Sequence, residues 1–124
     1  MKGEPILPVI NRSLLIVYAK EPFVEWLCSL PVPSEHADMF LGPKTLESIN
    51  RDPPCFLIPN DCDPQDALEH YFPIIIHELF SAWSTDENQW PDKFNLRTFK
   101  KWFDVKSSMI IHDCNGKEPL DYDV

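Results

Sequence analysis

The stretch Asp63-Pro-Gln-Asp-Ala-Leu-Glu-His-Tyr-Phe-Pro-Ile-Ile-Ile-His-Glu-Leu-Phe-Ser-Ala-Trp83 reads as one long amphipathic helix. Leu68, Tyr71, Phe72, Ile75, Leu79, Ala82 and Trp83 recur at three- and four-residue spacing and form a continuous apolar stripe. Asp63 suits the N-cap, Pro64 the first helical position, and Asp66 places negative charge near the positive end of the helix dipole. The opposite edge carries Asp66, His70, Pro73 and His77. Pro73 removes one backbone hydrogen bond, so it predicts either a curve around the core or a break into two helices.

Outward from this helix the pattern alternates. Ser13-Leu-Leu-Ile-Val-Tyr18 and Cys55-Phe-Leu-Ile58 are short apolar runs that read as buried strands. Between them Phe23, Trp26, Leu27 and Leu30 predict a helix over about 22–30, opened by Pro22 and stopped by Pro31 and Pro33. Residues 31–44 read as irregular, with Gly42-Pro43 as a turn signal. Thr45 can cap one short helical turn holding Leu46 and Ile49. Downstream, Asn95 can cap a helix whose apolar face is Leu96, Phe99, Trp102 and Phe103. Lys106 to Asp113 then predicts a third strand, closed by a turn at Asn115-Gly116.

The expected order is β-α-β-α-α-β. Three strands are few to be covered on both faces, so the predicted fold is α+β (or α/β): a two-layer sandwich of a small three-stranded sheet, a mixed one being allowed and its strand order and polarity left open, with helices on one face. At 124 residues, with 44% hydrophobic and 12% aromatic content, a single globular domain with its own core is expected. That core is placed at about residues 9–114, and residues 117–124 are expected to be a loose tail.

Charge is distributed unevenly. From Asp52 to Asp92 there is no Lys or Arg, while nine carboxylates occur, matching the net charge of −9 of the whole chain. Lys93, Arg97, Lys100, Lys101 and Lys106 follow, opposed only by Asp104. An acidic balance disfavours direct binding to nucleic-acid backbones or anionic membranes and favours a basic protein partner. No apolar stretch is long enough to span a bilayer, and the N-terminus lacks a signal-peptide layout, so a cytoplasmic protein is the expectation.

Signatures of chemistry are weak. Cys28, Cys55, Cys62 and Cys114 lack metal-site spacing and are expected to be free thiols, Cys62 being the one most expected at the surface. His70 and His77 lie two helical turns apart, about 10 Å, which is too far for joint metal ligation. Asp61, Asp63 and Asp66 begin like a calcium loop, but the sixth and twelfth positions counted from Asp61 hold Asp66 and Phe72 rather than Gly and Glu. Three glycines cannot build a phosphate loop. No catalytic residue, metal site or cofactor is assigned. His112 and Cys114 would share one side of a strand and, with Asp104, are the residues around which an enzyme or small-ligand site could be built.

Trp83, Phe99 and Phe103 fit core positions, whereas Trp90 has no periodic partner. It sits in Asp86-Glu-Asn-Gln-Trp-Pro-Asp92, between the acidic tract and the basic helix. The expected binding residues are therefore Asp86, Glu87, Trp90 and Asp92, with Trp90 as an apolar anchor. Three functions compete: a non-enzymatic module binding a basic protein or a second copy as a homodimer, an enzyme or ligand binder with a dispersed site, and a DNA-mimicking inhibitor.

Four pieces carry a resemblance: Asn11-Arg12-Ser13, Pro22-Phe23 with Trp26-Leu27, Ser81-Ala82-Trp83 with Trp90-Pro91, and Trp102-Phe103-Asp104. In their order and spacing the chain resembles a family of small acidic uncharacterised bacterial proteins. That resemblance implies a bacterial cytosolic origin; it implies no activity and no site residues. Pro73, the proline-rich stretch from 31 to 54 and the four cysteines depart from the family's pattern.

Overall fold

The computed structural model describes residues 8–31 and 44–122, so the turn signal at Gly42-Pro43 lies outside the described residues. The elements are β1 (Arg12–Ala19), α1 (Glu21–Ser29), α2 (Leu46–Ile49), β2 (Cys55–Pro59), α3 (Pro64–Ser81), a 3₁₀ turn (Glu87–Gln89), α4 (Leu96–Trp102) and β3 (Phe103–Ser108). The sheet runs in the order β2-β1-β3, and both pairings are antiparallel, so it is not mixed. The protein is a small α+β fold.

β1 is the central strand, and its pleat decides which face the helices cover. Ser13, Leu15, Val17 and Ala19 are buried, while Leu14, Ile16 and Tyr18 between them are half-buried. Ile58 opposite Ser13 and Phe103 opposite Ala19 extend the buried face into β2 and β3. Phe23, Trp26 and Leu27 of α1, Leu68, Ile75, Leu79 and Phe80 of α3, and Phe99 of α4 complete one core with it. On the other face, Leu57 is exposed and Lys106 Nζ lies 5.9 Å from the centroid of the Tyr18 ring.

Local chemistry explains the helix starts. Asp63 accepts from the backbone N–H groups of Gln65 (3.1 Å) and Asp66 (3.2 Å), Asn95 from that of Thr98 (2.9 Å), and Thr45 and Ser48 form a reciprocal capping box. α3 continues unbroken through Pro73, which is exposed and so leaves the gap in its hydrogen-bond ladder facing water.

Several expectations are corrected. α3 ends at Ser81, so Ala82 and Trp83 fall beyond its apolar stripe and are exposed, while Ala67 and Phe80 are buried instead. Phe80 is buried because aromatic rings from several other elements surround it. Trp26 lies 4.9 Å, Phe94 5.1 Å, Trp90 6.0 Å and Trp102 6.3 Å from it, centroid to centroid. β3 begins at Phe103 rather than near Lys106, because α4 passes directly into extended backbone there (φ −138°, ψ 149°). It ends at Ser108; beyond it, among the described residues, an isolated bridge joins Val9 and His112. All four cysteines are free, and Cys62 is the most sheltered of them, packed against the core beside the α3 N-cap.

Candidate functional site

The segment 84–92 closes over the C-terminal turns of α3, and two indoles hold it there. Trp26 Nε1 donates to the Gln89 carbonyl (2.9 Å), and Trp90 Nε1 donates to the Ser84 carbonyl (2.8 Å). Ser84 Oγ also donates to the Gln89 side-chain oxygen. Asp86 caps the 3₁₀ turn by accepting from Asn88 N–H (3.0 Å). The loop is therefore tied to α1 and to itself. Lys93, at φ 52°, makes the left-handed turn that leads from the loop towards α4.

Each residue expected at the site can now be placed. Asp86, Glu87 and Asp92 are exposed. Trp90 is half-buried, with one side on Phe80 and its edge against the His77 ring at 5.4 Å. Trp90 thus anchors the loop inward and shows only part of its ring outward. Asp86, Glu87 and Trp90 share a shallow depression of about 430 Å³ with His77, Ser81 and Thr85. Asp92 does not line it.

A second, deeper cleft of about 550 Å³ opens on the other side of the same helix end, between α3 and the segment joining α2 to β2. Its acidic groups are Asp52 and Glu78, and Trp83 stands at its mouth with 39% of its surface exposed. Among the described residues, no Lys or Arg lines either depression. The last turn of α3 carries no basic residue, so the negative end of its dipole is not offset there by Lys or Arg. His77 Nδ1 lies 3.9 Å from Glu78 Oε1, both side chains being largely exposed. Four carboxylates and a helix C-terminus therefore surround one ridge.

Asp52 and Asn50 escaped the sequence reading. Asp52 reads as part of a turn, and only the fold brings it next to Glu78's side of α3. Asn50 holds the wall of the cleft: its side chain accepts from Ala19 N–H (2.7 Å) and donates to the Ala19 carbonyl (3.0 Å).

His112, Cys114 and Asp104 do not converge. Asp104 pairs with Tyr18 at one end of β1, while His112 bridges Val9 beyond the other end. Because β3 stops at Ser108, His112 and Cys114 also do not alternate along one strand. Among the described residues, no group of three or more His, Cys, Asp or Glu side chains is placed to hold a metal ion, and no helix is long and apolar enough to cross a membrane. No family model matches the chain, and neither does any curated protein or solved structure.

Proposed function

We propose that this protein is a non-enzymatic interaction module of the bacterial cytosol that recognises a basic segment of a protein partner. The observation that carries the reading is the ridge at the end of α3. There a tied-down loop presents Asp86 and Glu87 beside Trp90, next to a helix C-terminus, with no Lys or Arg among the described residues lining the depression. A fixed array of like charges speeds and orients encounter with a cationic surface, and the partly exposed indole adds apolar contact. Asp92 extends the acidic rim outside the depression. The bacterial, cytosolic setting rests on the resemblance of the Asn11-Arg12-Ser13 and tryptophan-containing pieces.

The test is a titration of the protein with a Lys- and Arg-rich peptide containing one aromatic residue, followed by backbone NMR. Shifts are expected to concentrate on residues 84–92 and the last turns of α3. Asp86→Asn, which keeps an acceptor for Asn88 N–H, combined with Glu87→Gln and Asp92→Asn, is expected to weaken binding at least tenfold. Raising the salt to about 0.5 M is expected to do the same, because exposed charges are screened over a few ångströms there. Equal affinity of the wild type and the triple variant would overturn the reading. Light scattering at low salt identifies a second copy as the partner if dimers form and the triple variant abolishes them.

A further inference from the structure

The cleft between α3 and the α2–β2 connection has a composition that the acidic loop does not explain. Its floor is made of Val17, Ala19, Phe23, Leu79 and Phe103, core residues from four different elements that are each less than a tenth exposed. Its volume of about 550 Å³ falls within the range of small-molecule sites, roughly 300–1,000 Å³. An opening onto the core of this size would ordinarily close by collapse of the covering segment. Here that segment is held in place by hydrogen bonds: Val17 N–H donates to the Pro54 carbonyl (3.0 Å), and Asn50 takes both backbone groups of Ala19. Pro53 and Pro54 further restrict its backbone.

The charged groups of the cleft are of one kind; the Cys55 thiol that also lines it is neutral and contacts the Pro53 carbonyl. Asn50 is occupied by Ala19 and offers little to a ligand. Asp52 and Glu78 remain, and among the described residues the Asp52 carboxylate has no hydrogen bond or ion pair, while the Glu78 carboxylate has only the long contact to its exposed neighbour His77. Trp83 adds an aromatic ring at the mouth, a surface that attracts cations as well as apolar groups. An apolar floor under two carboxylates and an indole, with no Lys or Arg in the lining among the described residues, complements a molecule with an apolar body and a single positive head.

We propose that this cleft is a binding site for a small apolar amine, an organic monocation whose alkyl or aryl body rests on the Phe23–Leu79–Phe103 floor and whose ammonium group lies between Asp52, Glu78 and Trp83. The site is separate from the acidic loop and does not depend on the reading given above.

The experiment uses 4-phenylbutylamine as the probe, with 4-phenylbutanoate and 4-phenylbutan-1-ol as anionic and neutral comparators of the same body. Calorimetry measures affinity, and NMR of the full chain locates the contacts. The amine is expected to bind saturably, to shift the Trp83 indole and the Glu78 and Asp52 amides, and to bind at least tenfold more tightly than the carboxylate. Asp52→Asn with Glu78→Gln keeps the shape of exposed side chains and is expected to weaken the amine at least fivefold while leaving the alcohol within twofold. Ala82→Trp, at the exposed rim, is expected to abolish binding of all three. Failure of the amine to saturate would overturn the proposal, as would equal affinity for amine and carboxylate or indifference of the amine to both variants. The comparators act on the unaltered protein, so the test survives any variant that folds poorly. The triple loop variant should bind the amine unchanged, which separates the two sites.

Discussion

Asn50 shows how much one side chain contributes to this fold. Its amide occupies the place a neighbouring strand would have taken beside Ala19, both accepting from and donating to that residue's backbone. Ala19 is only 8% exposed, so removing the amide leaves two sheltered backbone groups without partners. Asn50→Ala is expected to destabilise the protein by about 2–3 kcal/mol, measured by urea unfolding. Asn50→Asp keeps the acceptor and loses the donor, and should fall between. The caps at Thr45, Asp63 and Asn95 were legible in the sequence because donor and acceptor lie two or three residues apart. Asn50 was not, because its partner is 31 residues away in the chain. Trp90 was half legible. Its lack of a periodic partner marked it as unusual, but its bond to Ser84 and its packing on Phe80 depend on the loop's path.

At the scale of elements, α3 carries the clearest conflict between local propensity and tertiary demand. An internal proline costs about 3 kcal/mol in a helix, yet the helix runs its full 18 residues across Pro73. Burial of Leu68, Ile75, Leu79 and Phe80 on either side of the proline holds the two halves in one element. Pro73→Ala is expected to raise stability by about 1–2 kcal/mol, less than the full cost because the surrounding packing has adapted to the proline. The readout is a higher urea midpoint with an unchanged slope. A lower midpoint would mean that the proline itself helps to seat Phe80 among its rings. β3 shows the complementary case. Phe99, Trp102 and Phe103 satisfy helical spacing, but the chain extends at Phe103, and that residue reaches the same core from a strand. Periodicity identified the residue as core and misjudged the element that delivers it.

For the whole molecule, Phe80 is the point where the layers meet. Trp26 of α1, Trp90 of the acidic loop and Trp102 of α4 all surround it, so three of the four tryptophans report on one shared cluster. Tryptophan fluorescence and far-UV circular dichroism are therefore expected to give coincident urea transitions, the behaviour of one cooperative unit. An early fluorescence change would show that the loop and its tryptophan detach before the sheet and helices unfold.

The sequence by itself determined the order and type of the main elements, the caps at Thr45, Asp63 and Asn95 and the acidic tract, though not where α3 ends or where β3 lies, because helix and strand periods, capping and charge are properties of neighbours in the chain. Only the tertiary structure decided that the sheet is antiparallel in the order β2-β1-β3, that Trp90 turns inward, that Asp104 stands apart from His112, and that Asp52 and Glu78 border one apolar cleft. Those outcomes depend on contacts between residues far apart in sequence, set by which surfaces bury apolar area most completely while keeping every backbone polar group paired.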